Sequence, residues 1–200
     1  MIDHSFRKIL PNYTRSLIAL YKWLHLAPNQ ITLFSFGIAC IAALLVSQKY
    51  FVAAIFVWWL GRLLDGTDGV YARANGQTSL FGAYLDMLCD MASYSVMILG
   101  FKFAFPELTP VWAVILLLYV LCITGALSLG SLQEKKKVPS RDNRGLRLAA
   151  GLAEGGETGI AYTVFLMLPG LVSFTAWAWV VVLVITVVAR SMIAYRELKQ

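Results

Sequence analysis

Long apolar runs dominate this sequence and leave few folds open to it. Several of them approach the roughly 20 residues that a helix needs to cross the hydrocarbon core of a bilayer. The chain is 59% hydrophobic and only 14% charged. Because lipid offers the backbone no hydrogen-bond partners, such runs must be helical. The sequence therefore predicts an all-α membrane protein, with residues 1–200 forming a single domain.

Hydropathy predicts six transmembrane helices that follow an N-terminal surface segment. Residues 1–27 alternate apolar side chains with basic ones, which is typical of an amphipathic juxtamembrane helix lying on the membrane surface. Residues 28–200 are then predicted to form a six-helix bundle. The predicted spans are Pro28–Ser47, Tyr50–Arg73, Thr78–Phe105, Thr109–Leu132, Leu148–Leu168 and Ser173–Tyr195.

Basic residues are distributed unevenly over the predicted loops and helix ends. Six spans place both termini on one side, and that side carries every lysine and arginine except Lys49 and Lys102. The positive-inside rule then predicts that both termini are cytoplasmic. The net charge of +6 fits this topology and contact with anionic membrane lipids. No nucleic-acid partner is expected, because no binding module accompanies the run Lys135–Lys137.

Four aspartates interrupt the second and third predicted spans. Asp65 and Asp68 are three residues apart, and Asp86 and Asp90 are four apart, so each pair shares a helix face. The turn between these spans is short, so the two helices should be antiparallel neighbours with both pairs in the cytoplasmic half of the membrane. The sequence therefore predicts that the four carboxylates converge.

Converging carboxylates need a way to relieve their mutual repulsion. They could share protons in a relay, as in some transporters, or bind hard divalent ions such as Mg²⁺ or Mn²⁺. Gly66, Gly69 and Gly82 would let a ligand approach the backbone closely. Arg73 could add charge-assisted hydrogen bonds to a diphosphate. These neighbours favour metal-assisted phosphoryl transfer over a proton relay.

The spacing of these residues resembles the signature of the CDP-alcohol phosphatidyltransferases. Written out, the motif is Asp65-x2-Asp68-Gly69-x2-Ala72-Arg73-x8-Gly82-x3-Asp86-x3-Asp90. The resemblance implies an enzyme of phospholipid biosynthesis that moves a phosphatidyl group from CDP-diacylglycerol to the hydroxyl of a small alcohol, releasing CMP. It also implies a homodimer, and it fits a bacterial inner-membrane protein whose active site faces the cytoplasm.

The resemblance further implies roles for individual residues. Asp65, Asp68, Asp86 and Asp90 would hold two Mg²⁺ or Mn²⁺ ions, and Asp90 would also be the general base for the acceptor hydroxyl. The residues that would contact CDP-diacylglycerol are Asn29, Thr32, Gly69, Arg73, Ser79 and Gly82.

The acceptor is expected to bind near the basic loop and the start of the fifth span. The candidate acceptor-binding residues are Glu154, Glu157, Arg144, Arg147 and Arg190. In relatives that use inositol phosphate, the comparable stretch resembles G-L-x-E-R-P-E-R, whereas this chain has Gly155 and Thr158 at the arginine positions. This departure argues against a phosphorylated inositol, and it leaves serine, glycerol, inositol and glycerol 3-phosphate open.

Two other classes of function are also considered. A Mg²⁺-dependent membrane prenyltransferase uses aspartates on a diphosphate, but such proteins are typically longer and have two separate Asp-rich motifs. A proton- or cation-coupled transporter often contains internal repeats, and the sequence has no second copy of the aspartate cluster.

Overall fold

The computed structural model describes residue 14, residues 16–135 and residues 155–199 of the chain. In these ranges the regular structure is entirely helical, without β-strands. The chain forms two compact units, Met1–Ala104 and Phe105–Gln200. The prediction of an all-helical protein is confirmed for the described residues.

The first unit contains a short helix α1 (16–23) followed by three long helices. These are α2 (Pro28–Ser47), α3 (Phe51–Ala74) and α4 (Leu80–Ala104). Helices α1, α2 and α3 each end just before a residue in the left-handed conformation, namely His25, Lys49 and Gly76. At Lys49 the turn is closed by backbone hydrogen bonds from Lys49 to Val46 and from Tyr50 to Leu45. This C-terminal motif satisfies carbonyl groups that the helix leaves open and reverses the chain direction.

Helix α2 is the shared packing partner of α3 and α4. It buries small side chains, Ala39, Ala42 and Ala43, which allow close helix approach. A Cβ atom built on Gly100 of α4 would lie only 2.6 Å from the backbone oxygen of Ala43. The backbones of α2 and α4 therefore touch at a position where only glycine fits.

The side-chain contacts of the first unit define the helix directions. Thr32 and Ser35 of α2 meet Asp68 and Asp65 of α3 in reversed order, so these helices are antiparallel. Helix α1 is attached to α3 by a 2.9 Å hydrogen bond between the hydroxyl groups of Tyr21 and Thr67. The α1 face that carries Tyr21 therefore contacts the part of α3 that carries the aspartates.

The second unit contains α5 (Thr109–Lys135), α6 (Gly155–Met167) and α7 (Val172–Leu198). Tyr119 accepts a 3.0 Å hydrogen bond from the indole of Trp179, and the side chains of Gln133 and Glu197 are also hydrogen-bonded. The later residue of α5 therefore contacts the later residue of α7, which means that the two helices are parallel. Helix α6 packs against α7, and its Tyr162 hydroxyl lies 3.0 Å from that of Tyr119.

Within the described residues, four helical stretches are long and apolar enough to cross a membrane, and the protein is an integral membrane protein. The stretches are Pro28–Ser47, Leu80–Ala104, Pro106–Lys135 and Pro169–Leu198. Helix α3 is also long, but it carries Arg62 and two aspartates in its interior. The predicted fifth span begins outside the described residues. The full set of six spans and the side of the termini stay predictions.

Candidate functional site

Three carboxylates meet between helices α3 and α4. One oxygen from each of Asp65, Asp68 and Asp86 lies within 4.8 Å of the other two. Asp68 is buried, and the side chain of Asp65 is only 13% exposed. Three of the four acidic side chains predicted to converge are therefore close together in the folded chain.

Hydroxyl groups of α2 hold two of these carboxylates. Thr32 donates a hydrogen bond of 2.5 Å to Oδ2 of Asp68, and Ser35 donates one of 3.1 Å to Oδ1 of Asp65. The backbone N–H of Gly69 donates to Oδ1 of Asp68 at 2.5 Å. Such charge-assisted hydrogen bonds are stronger than those between neutral groups and fix the carboxylate orientation. Thr32, predicted as a CDP contact, thus contacts a predicted metal ligand.

Asp90 is held by a different partner, Arg62. Nη1 of Arg62 donates to Oδ1 of Asp90 at 2.5 Å and to the Tyr94 hydroxyl at 3.0 Å. The same nitrogen lies 3.5 Å from Oδ2 of Asp65. Arg62 therefore links the α3 and α4 parts of the acidic group, which also shows that these two helices contact each other.

The donor set of this group fits a hard divalent cation. Three carboxylates so close together repel one another unless positive charge compensates them. Short, oxygen-only side chains are the ligands that Mg²⁺ and Mn²⁺ prefer. Asp65, Asp68 and Asp86 satisfy both the chemical type and the mutual proximity that such an ion requires.

The starts of α2 and α4 lie together beside the acidic group. The Ser79 hydroxyl caps α4 by accepting a 2.9 Å hydrogen bond from the Gly82 N–H. A Cβ atom on Gly82 would lie 3.1 Å from Oδ1 of Asn29 and 3.0 Å from Oγ of Ser79. Asn29, Ser79 and Gly82, all predicted CDP contacts, are thus neighbours at two helix N-termini, which attract anions.

Arg73 provides an exposed cation near the same place. A Cβ atom on Gly69 would lie 3.3 Å from Nη1 of Arg73, so the guanidinium group extends over this glycine. Arg73 itself is exposed. Its guanidinium remains accessible to a ligand, and a side chain at position 69 would displace it slightly.

The residues predicted to bind the acceptor are described only in part. Glu154, Arg144 and Arg147 lie outside the described residues. Glu157 lies in the first turn of α6, and Arg190 of α7 donates a 2.8 Å hydrogen bond to the backbone oxygen of Cys122 in α5. Both belong to the second unit.

Sequence reasoning missed Ser35, Tyr94 and Arg62. The charge distribution placed Arg62 among cations at the cytoplasmic surface, whereas its side chain is only 10% exposed and contacts the acidic group. The available signal was spacing, because Arg62 precedes Asp65 by three residues on one helix face.

Comparison with known proteins assigns the family. Residues 25–188 match the family model described as CDP-alcohol phosphatidyltransferase, a range that contains the whole acidic group. The chain belongs to the CDP-alcohol phosphatidyltransferase family and is an enzyme of that class. The prediction from the motif is therefore confirmed at the level of family and reaction class.

Two curated relatives illustrate the range of similarity. The inner membrane protein YnjF of Escherichia coli strain K12 is 31% identical over 151 residues, which cover 72% of this chain and 71% of YnjF. The archaetidylinositol phosphate synthase of Pyrococcus horikoshii is 32% identical over 96 residues. That alignment covers 46% of this chain and 51% of the synthase.

Solved structures show the same fold. The phosphatidylinositol phosphate synthase PgsA1 of Mycobacterium tuberculosis, solved with CDP-DAG bound, matches with a TM-score of 0.67 and 23% identity. The match covers 91% of this chain and 93% of that one. The same enzyme in complex with manganese and citrate matches with a TM-score of 0.64 and 23% identity, covering 91% and 88% of the two chains.

Proposed function

We propose that this protein transfers a phosphatidyl group from CDP-diacylglycerol to the hydroxyl group of a small alcohol and releases CMP. The observation that carries the proposal is the meeting of Asp65, Asp68 and Asp86 within 4.8 Å, in a chain of this family. A transporter relay or a prenyltransferase would not account for the family match.

Asp65, Asp68, Asp86 and Asp90 are the proposed ligands of two Mg²⁺ or Mn²⁺ ions. When bound, such ions would neutralise the diphosphate and stabilise negative charge on the departing CMP oxygen. The manganese complex of PgsA1, which has the same fold, supports this choice of ion. Thr32 and Ser35 donate the hydrogen bonds that orient Asp68 and Asp65.

The diphosphate of the donor is proposed to bind where α2 and α4 begin. Two helix N-termini and the Arg73 guanidinium favour an anion there. The absence of side chains at Gly69 and Gly82 keeps room for the ligand beside Arg73, Asn29 and Ser79. Thr32 would affect donor binding indirectly, because its hydrogen bond orients Asp68.

Asp90 is the proposed general base. The acceptor oxygen attacks the phosphorus of the phosphatidyl group, the bond from that phosphorus to the CMP oxygen breaks, and the acceptor proton passes to Asp90. Oδ1 of Asp90 accepts a hydrogen bond from Arg62, so we assign proton transfer to the other oxygen, Oδ2. A base positioned in this way contributes about 10²–10⁴-fold to the rate.

The acceptor is proposed to be a small alcohol bound by Glu154, Glu157, Arg144, Arg147 and Arg190. Gly155 and Thr158 replace the arginines of the inositol phosphate pattern, and Thr158 is buried. Relatives named as serine and inositol phosphatidyltransferases also match parts of this chain. Serine, glycerol, inositol and glycerol 3-phosphate are therefore the acceptors to test first.

The proposed setting is a bacterial inner membrane with the site facing the cytoplasm. The distribution of lysine and arginine supports six spans with both termini inside, and the relative YnjF is named an inner membrane protein. We also propose that the enzyme is a homodimer, which cross-linking of the protein in membranes would test.

One assay tests the activity. The purified full chain is incubated with CDP-diacylglycerol, Mg²⁺ or Mn²⁺, and one alcohol at a time, and CMP release is measured. CMP that appears only with a particular alcohol supports the proposal and identifies the acceptor. Absence of acceptor-dependent CMP with every alcohol, while the protein binds Mn²⁺, would contradict the proposed function.

A further inference from the structure

Arg62 is a buried cation inside the acidic group, and its environment is unusual. Only 10% of its side chain is exposed. Its guanidinium carbon lies 5.1 Å from the centre of the Trp58 ring and 5.2 Å from that of Tyr94. These contacts place the charge between two aromatic rings and two carboxylates, where it is protected from solvent.

Only one of the three guanidinium nitrogens of Arg62 has polar contacts. Nη1 contacts Asp90, Tyr94 and Asp65, whereas Nε and Nη2 are buried without a hydrogen-bond partner. Leaving two such donors unpaired is costly. A residue that served only to join α3 and α4 would not need a full positive charge, so the charge itself requires an explanation.

Charge balance gives that explanation. Two divalent ions together with Arg62 and Arg73 would balance four carboxylates and the two negative charges of a bound diphosphate. Arg62 is a cation in direct contact with Asp65 and Asp90. It therefore compensates part of the repulsion that the acidic side chains experience before an ion binds.

We propose that Arg62 is a built-in counter-charge of the acidic group, a positioning residue that holds Asp90 and competes with divalent cations for Asp90 and Asp65. This inference rests on the proposed function for the role of Asp90, but its effect on cation binding is independent of catalysis. A fixed positive charge a few ångströms from a bound ion lowers the affinity for that ion.

The proposal predicts opposite effects on ion binding and on turnover. Arg62→Met removes the competing charge, so Mn²⁺ should bind about tenfold more tightly to the donor-free protein. The same change releases Asp90, so kcat should fall about tenfold or more while KM for CDP-diacylglycerol changes less than about twofold. General damage to the fold would instead weaken Mn²⁺ binding.

The test uses the purified full chain and Mn²⁺ alone, with free Mn²⁺ followed by electron paramagnetic resonance. Arg62→Gln is a second neutral variant that keeps an amide donor, in case Arg62→Met fails to fold. Arg62→Lys keeps the charge and should retain the Mn²⁺ affinity of the unchanged protein. Lys102→Met is the matched control, because it removes a cation that stacks on Phe103 outside the acidic group.

Tighter Mn²⁺ binding in the neutral variants, with unchanged binding in Arg62→Lys and Lys102→Met, supports the proposal. Equal or weaker binding in the neutral variants, or unchanged kcat, overturns it. If the wild-type protein binds Mn²⁺ but releases no CMP with any acceptor, the proposed function is overturned instead. Failure of the Arg62 proposal and failure of the proposed function are therefore distinguishable.

Discussion

Asp68 and Asp90 differ in the groups that hold them. Both oxygens of Asp68 accept hydrogen bonds, from Thr32 and from the Gly69 backbone, and the side chain is buried. Asp90 is more exposed, at 30% of its side chain, and is held through one oxygen by Arg62. A fixed, buried carboxylate suits an ion ligand, whereas a more exposed one has access to an acceptor hydroxyl.

The change Asp90→Asn tests the base assignment. The amide has nearly the same shape and its oxygen can still accept from Arg62, but it cannot take a proton. We expect CMP release to fall by about 10²–10⁴-fold, with donor binding changed by less than about threefold. Asp68→Asn is the comparison, because both oxygens of Asp68 accept hydrogen bonds and an amide nitrogen cannot, so this buried ligand should be displaced and donor binding should weaken as well. Turnover that stays close to normal in Asp90→Asn would remove the base assignment.

Arg73→Met tests the proposed contact with the donor. A charge-assisted hydrogen bond contributes about 1.5–3 kcal/mol, so KM for CDP-diacylglycerol should rise about tenfold or more while KM for the acceptor stays unchanged. Arg196→Met removes an exposed arginine from the last turn of α7 and serves as the control. A normal donor KM in Arg73→Met would leave Arg73 as a membrane-interface anchor.

At the level of elements, local signals placed most helix boundaries well. The first span was predicted over Pro28–Ser47 and α2 covers the same residues, because Pro28 suits the first helical turn. The third span was predicted from Thr78, but α4 begins at Leu80 because Ser79 caps it. These features depend on neighbours along the chain, and the sequence contains them.

The contacts between helices were harder to predict. That α3 and α4 share α2 as packing partner depends on the close approach of Gly61 to Ser35 and of Gly100 to Ala43, which periodicity does not show. The position of Arg62 depends on which helix its long side chain meets. The aspartate spacing predicted a common site correctly for three acids, but not the arginine that holds the fourth.

The contact between α2 and α4 predicts that Gly100→Ala is destabilising. Its Cβ atom would lie 2.6 Å from a backbone oxygen, so the helices must separate, at a cost of about 1–3 kcal/mol. Gly125→Ala in α5 is the matched control, because a Cβ atom there meets nothing within 4 Å. Thermal unfolding in detergent should show a lower Tm for Gly100→Ala and no decrease for Gly125→Ala. Equal Tm values would mean that the two helix backbones do not approach so closely.

At the scale of the whole molecule, divalent ions should stabilise the fold. An ion that binds only the folded protein contributes about 2.7 kcal/mol at a hundred times its dissociation constant. For a chain of this length, Tm should then rise by about 5–10 °C when Mn²⁺ is added in detergent. Asp86→Asn, which removes one of the three clustered carboxylates, should reduce the shift. A Mn²⁺ effect of the same size in Asp86→Asn would place the ion elsewhere.

The six-span topology makes the last prediction. If the basic residues set the orientation, green fluorescent protein fused to either terminus should fluoresce, because it folds in the cytoplasm. Alkaline phosphatase should be active only when inserted near Lys49, near Pro106 or near Pro169, on the opposite face.

The four apolar stretches found among the described residues would also give an even number of crossings, so the termini do not distinguish four spans from six. The insertion near Pro106 does, because it reports the face reached after both α3 and α4. Phosphatase activity there requires α3, with its aspartates and Arg62, to return through the membrane to the cytoplasmic face. An inactive phosphatase at that position, with an active one near Lys49, would place α3 outside the membrane and contradict the six-span arrangement.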